Sequence, residues 1–104
     1  MKITLLLFTT VFLAVATAAE NYKLTLFQPS YVGENQLQAG DYQLIVDDGH
    51  VIIKKGRKTV EADVKVESAG QKYKATTVRY DNTGGKYRIS EIRLRGTSIK
   101  LVFD

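Results

Sequence analysis

The chain has 104 residues, 44% of them hydrophobic and 25% charged, with 15 Lys and Arg against 11 Asp and Glu for a formal charge of +4. That balance belongs to a folded protein rather than a disordered one, and the length leaves room for one hydrophobic core, not two. With no cysteine and a single histidine, His50, disulfide staples, thiolate metal centres and thiol catalysis are excluded together.

Met1-Lys2 precede an uncharged apolar run from Ile3 to Val15, which ends in Ala16-Thr17-Ala18-Ala19. A membrane-crossing helix needs about 20 apolar residues. This run is shorter and closes on the small residues at which signal peptidases cut, so residues 1–19 are predicted to be a signal peptide, cleaved after Ala18 or Ala19. No basic stop-transfer cluster follows, and no cysteine for lipid attachment. The product, a single antiparallel β domain over 20–104, is expected to be exported to a bacterial periplasm or beyond and not to span the membrane. The leader carries Lys2 and no acid, so its loss lowers the +4 by one. Without disulfides in an oxidising compartment, the domain must hold together by packing alone.

The first predicted strand is Tyr22 to Phe27. Gln28-Pro29-Ser30 interrupts it, and Tyr31 to Gln36 shows no clear period, which predicts an edge strand and a loop. Strands follow at Asp41 to Asp47 and Val51 to Lys55. In Val60-Glu61-Ala62-Asp63-Val64-Lys65-Val66-Glu67 every even position is apolar and every odd one charged, the signature of a strand with one buried and one wet face. Further strands are predicted at Lys72 to Tyr80, Tyr87 to Leu94 and Ser98 to Phe103, seven in all. Asp48-Gly49, Lys55-Gly56, Ala69-Gly70, Gly84-Gly85 and Gly96-Thr97 fall between these runs, where glycine takes positive φ cheaply, so consecutive strands are expected to pair antiparallel. Tyr87 and Ile89 share a phase that Ile92 and Leu94 do not, which predicts a bulge at Ser90-Glu91.

The fold class is therefore all-β, a small antiparallel barrel or a two-sheet sandwich of about seven strands. Its expected core draws on Leu24, Leu26, Tyr42, Leu44, Val46, Val51, Ile53, Val60, Val64, Val66, Val78, Ile89, Ile92, Leu94, Ile99, Leu101 and Phe103.

Leu37-Gln38-Ala39-Gly40-Asp41-Tyr42, leading into Gln43-Leu44-Ile45-Val46, forms an L-x-x-G-x-Y element, and Gly96 to Phe103 closes the chain. Together they resemble short exported bacterial β-rich proteins of unknown function, and the first element is similar to one in transthyretin-like sandwich modules. The resemblance implies export and a β fold. It carries over no catalytic residue.

Candidate chemistry is sparse. His50 beside Asp47 and Asp48 has the donor types of a divalent-metal site, but Asp48-Gly49 is a hairpin turn that would set His50 at the start of the next strand, at the solvent edge. An EF-hand reading fails because Lys58 stands where the twelfth-position glutamate is required. Ser30, Ser68, Ser90 and Ser98 lie in no nucleophile elbow. The acids mostly alternate with lysines on wet faces or sit in turns, unlike a facing glycosidase pair. No phosphate-cradling glycine loop leads into a helix. The chain is accordingly read as no enzyme, with no catalytic or metal-binding residue and no cofactor.

The basic residues carry the remaining signal. Lys54, Lys55, Arg57 and Lys58 gather in one turn, with Arg93 and Arg95 near the C-terminal hairpin. Such a patch attracts anions. Interleaved tyrosines and lysines would suit single-stranded nucleic acid in the cytoplasm, but export directs the expectation to an anionic glycan, a lipid head group or an acidic protein surface, with no nucleic acid. Lysines on wet strand faces also keep edges from associating. The expected function is an exported, non-enzymatic binding or structural accessory domain of the periplasm or envelope. The alternative is a small-ligand carrier with a tyrosine-lined barrel interior. Oligomeric state and partner identity do not follow from the sequence.

Overall fold

In the computed structural model, which describes residues 20–103, nine strands follow one another in the chain: β1 (Glu20–Leu26), β2 (Ser30–Val32), β3 (Asn35–Leu37), β4 (Gly40–Val46), β5 (His50–Lys55), β6 (Lys58–Ser68), β7 (Thr77–Asp81), β8 (Arg88–Arg93) and β9 (Ile99–Phe103). The predicted leader and its cleavage site lie outside these residues. The class is all-β, as the alternation of apolar and polar residues requires.

The strand order is β1-β4-β5-β6-β9-β8-β2-β3, with β7 on β8. The long β6 joins two ladders. Its first half pairs with β5, from Lys55↔Lys58 to His50↔Asp63, and its second half with β9, from Val64↔Phe103 to Ser68↔Ile99. The sheet is not closed into a barrel. β1 pairs only with β4 and β7 only with β8. Closure fails because the strand expected from Lys72 begins only at Thr77. Ahead of it, Tyr73 is held in an isolated parallel bridge to Arg95, its N–H donating to the Thr97 carbonyl at 2.8 Å and its own carbonyl accepting from Gly96 at 2.9 Å.

Consecutive pairing holds for β2/β3, β4/β5, β5/β6, β7/β8 and β8/β9, but β1 skips to β4, β6 skips to β9, and β2 meets β8 in parallel at Tyr31↔Arg88. Ala69-Gly70 therefore ends β6 without making a hairpin. The predicted bulge is present: Arg79 pairs with Glu91 and Tyr80 with Ile89, leaving Ser90 as the extra residue. That residue puts Ile89 and Ile92, both buried, on the same face of β8.

One buried cluster fills the interior, with Leu24, Leu26, Leu37, Leu44, Val51, Ile53, Ile92, Leu94 and Leu101 all at 1% exposure or less. Val32 and Leu37, which the aperiodic stretch concealed, belong to it, whereas Val66 is 46% exposed and Val46, Val64, Val78 and Ile99 pack only partly against it. β6 explains Val66: its partner Leu101 on β9 is fully buried, but β5 pairs only as far as Asp63, so the other edge of β6 has no neighbouring strand to cover Val66. The interior is mostly aliphatic, with Phe103 and Tyr42 its aromatic members, and Tyr42 is the one buried tyrosine among the described residues. Ser30, fully buried, is satisfied through its Oγ by the Gln28 carbonyl and the Tyr80 hydroxyl, both at 2.9 Å.

Candidate functional site

The β5–β6 turn is built by Gly56. Lys55 pairs with Lys58 across a two-residue loop, and Gly56 takes φ +58° at its first position, which a type II′ hairpin turn needs and a side chain resists. The turn brings Lys54, Lys55, Arg57 and Lys58 to the tip, all exposed, with Lys55 and Lys58 on one face of the hairpin and Lys54 on the other. Lys55 lies over the Tyr42 ring, with Nζ 5.4 Å from its centroid, and Lys58 Nζ donates to the Gln36 carbonyl at 3.1 Å. Those contacts orient two of the cations and neutralise neither. Among the described residues, none of the four has a carboxylate within ion-pair distance. Four like charges in one loop repel one another, and an external anion relieves that repulsion.

Arg93 and Arg95 do not join them. Lys58 and Ser68 are the two ends of β6, about 33 Å of strand apart, and the arginines sit toward the Ser68 end, where β9 begins. Arg93 Nε donates to Glu91 at 2.7 Å, and its guanidinium lies 5.5 Å from the centroid of Tyr73. Glu91 also approaches Lys100 at 3.7 Å, and Lys100 approaches Glu67 at 3.6 Å. Burial opposes the Glu91 charge, but the Arg93 hydrogen bond and the Lys100, Arg93 and Arg79 charges outweigh it and hold the carboxyl below its ordinary range. Arg93 thus belongs to an internal ion network. Arg95 is exposed and lines a groove with Tyr22, Lys23, Phe27, Lys74 and Thr76.

His50 stands at the start of β5, as the turn chemistry requires, and Asp48 and Gly49 both take positive φ, +44° and +83°, the two left-handed residues of a type I′ turn. Its partners are across the ladder rather than in the turn. Nδ1 meets Asp63 at 3.2 Å and Nε2 meets Glu61 at 2.8 Å. An imidazole can donate from both nitrogens only when protonated, and the Glu61 and then the Asp63 hydrogen bond raise its pKa above the ordinary value. Glu61 and Asp63 were legible only as alternating charges; the turn supplies the missing step, since a two-residue loop at Gly56-Arg57 fixes His50 opposite Asp63.

The residues of the L-x-x-G-x-Y element do structural work in this chain. Leu37 is fully buried, Gly40 opens β4, and the buried Tyr42 donates its hydroxyl to the Gln38 carbonyl at 2.7 Å. Compared with known proteins, the chain matches no family model, no curated protein and no solved structure.

Proposed function

We propose that this is an exported, non-enzymatic β-domain that serves as a binding or structural accessory in a bacterial periplasm or envelope. It works by surface contact through Lys54, Lys55, Arg57 and Lys58, and its partner is anionic: a glycan, a lipid head group or an acidic protein surface. One observation carries this reading: four cations share an exposed turn with no acid to neutralise them among the described residues. Elsewhere in the same sheet the chain does pair its cations, Arg93 and Lys100 with Glu91. Arg95 adds a further cation on a separate face, and Arg93, already bound, contributes less.

The test is retention of the mature domain on a sulfated-glycan matrix through a salt series. Changing Lys54, Lys55, Arg57 and Lys58 to Gln is expected to abolish retention at low salt while leaving the circular dichroism spectrum unchanged. Equal retention of the variant removes the patch as the contact. A second reading, carriage of a small apolar or aromatic compound, draws on an opening of about 220 Å³ lined by Tyr22, Val46, Val66, Leu94 and Ile99 beside Glu20 and Asp48. Native mass spectrometry of protein taken from its own envelope separates the two, since carriage requires a co-purifying small mass.

A further inference from the structure

Two of the strand edges left without partners, those of β1 and β7, face each other across one seam. No backbone hydrogen bond joins β1 to β7 among the described residues. Two grooves, of about 490 Å³ and about 350 Å³, run between them and share Thr25, Phe27 and Thr76. Every formally charged residue lining this seam is cationic: Lys23 from β1, Lys74 from the segment before β7, and Arg95 from the loop after β8. Lys23 has a loose partner in Asp41 at 3.9 Å, both side chains being largely exposed. Lys74 and Arg95 have none among the described residues. Tyr22 supplies no anion: a phenol is already neutral near pH 7, and the hydrogen bond to Glu20, with burial, pushes its pKa further up to about 12. At the junction of the two grooves stands Phe27, 89% exposed.

We propose that the seam between β1 and β7 binds an acidic, extended peptide segment of another protein, which adds as a strand to the free edge of β1. The backbone of such a segment satisfies the row of donors and acceptors that an edge strand presents. Its alternate carboxylates meet Lys23, Lys74 and Arg95, and the exposed Phe27 offers an apolar contact just past the end of β1. The same cations repel basic edges, those of further copies of this chain included, and favour acidic ones. A concave seam bounded by strand edges suits a chain in extended form better than it suits a planar lipid surface. The site is distinct from the β5–β6 turn, and neither reading needs the other.

The probe is a capped seven-residue peptide alternating Glu and Val, matched to the length of β1, added to the isotopically labelled mature domain. Amide shifts are expected along 20–27 and 74–81. Exchanging Lys74 and Arg95 for Glu, or methylating alternate amide nitrogens of the peptide, should each weaken binding by about tenfold or more, whereas the four-Gln variant of the β5–β6 turn stays within about twofold of the parent. The methylated peptide tests strand addition on the unaltered protein, so the outcome does not depend on how a variant folds. Absence of those shifts at about 1 mM peptide overturns the proposal, as does undiminished binding of the methylated peptide. Vesicles of anionic lipid that bind through Phe27 while the peptide does not would assign the face to a membrane instead.

Discussion

At Gly40 the backbone sits at φ +147°, and a Cβ added there would meet the Lys55 ammonium at 2.5 Å. A flexible lysine end can move aside, but the φ value cannot be relieved that way, so Gly40→Ala is expected to cost about 1–3 kcal/mol in urea denaturation. A cost near zero would show that β4 opens by another route. His50 makes a prediction of opposite kind, about pH. Its folded pKa lies above the ordinary value because Glu61 and Asp63 hold both ring nitrogens. The folded state therefore binds a proton more readily than the unfolded one. The associated stability is fully present below the unfolded pKa of about 6.5 and is lost as pH rises through the folded value. Between pH 5.5 and 8 the parent should lose more thermal stability than His50→Gln, by a small margin because the site is exposed, and an NMR titration should find the imidazole pKa lowered in Glu61→Gln. Identical titration in the two proteins would dismiss the bridge.

Among the elements, β2 and β3 were the least legible. Tyr31 to Gln36 has no period because each strand is three residues long, too short to alternate visibly, and only Gly33, at φ +62°, marks the turn between them. Yet Leu37 at the end of that hairpin is fully buried, while Val66 on the most regular alternation in the chain is 46% exposed. Alternation reports which face a residue occupies and is silent on whether a neighbouring strand covers it: Leu101 opposite Val66 is fully buried, but β5 stops pairing with β6 at Asp63. Leu37→Ala is expected to cost about 2–5 kcal/mol, as cavity-forming changes in cores do, and Val66→Ala less than about 0.5 kcal/mol, both read from denaturant midpoints. Comparable costs would mean that Val66 is covered in solution. The bulge at Ser90 could be read from the sequence, since the apolar phase changes there and a single extra residue is the smallest repair.

For the whole molecule, the chain achieves a satisfied interior without disulfides. Its aliphatic cluster spans both ladders through β6, and among the described residues no buried side-chain polar atom lacks a hydrogen-bond partner. The sheet stops short of closure because the route past Tyr73 to Arg95 uses up the residues that would have lengthened β7. That feature was beyond the sequence. Hairpin pairings are local and announce themselves through glycine, whereas β1 with β4 and β6 with β9 depend on packing over long separations. The candidate contacts divide in the same way. Lys54, Lys55, Arg57 and Lys58 are neighbours in the chain and share one turn, while Arg93 proves to be bound to Glu91 and Arg95 to border a groove made by three separate segments.

The central claim is that the packed interior serves as a platform and that an anionic partner is met at the β5–β6 turn. The most direct measurement is an amide-shift map of the domain over 20–104 titrated with a sulfated oligosaccharide. The account predicts shifts concentrated at 54–58, disappearing in raised salt and in the four-Gln variant. Shifts centred on Tyr22, Val46, Leu94 and Ile99, or none at the turn, would contradict it.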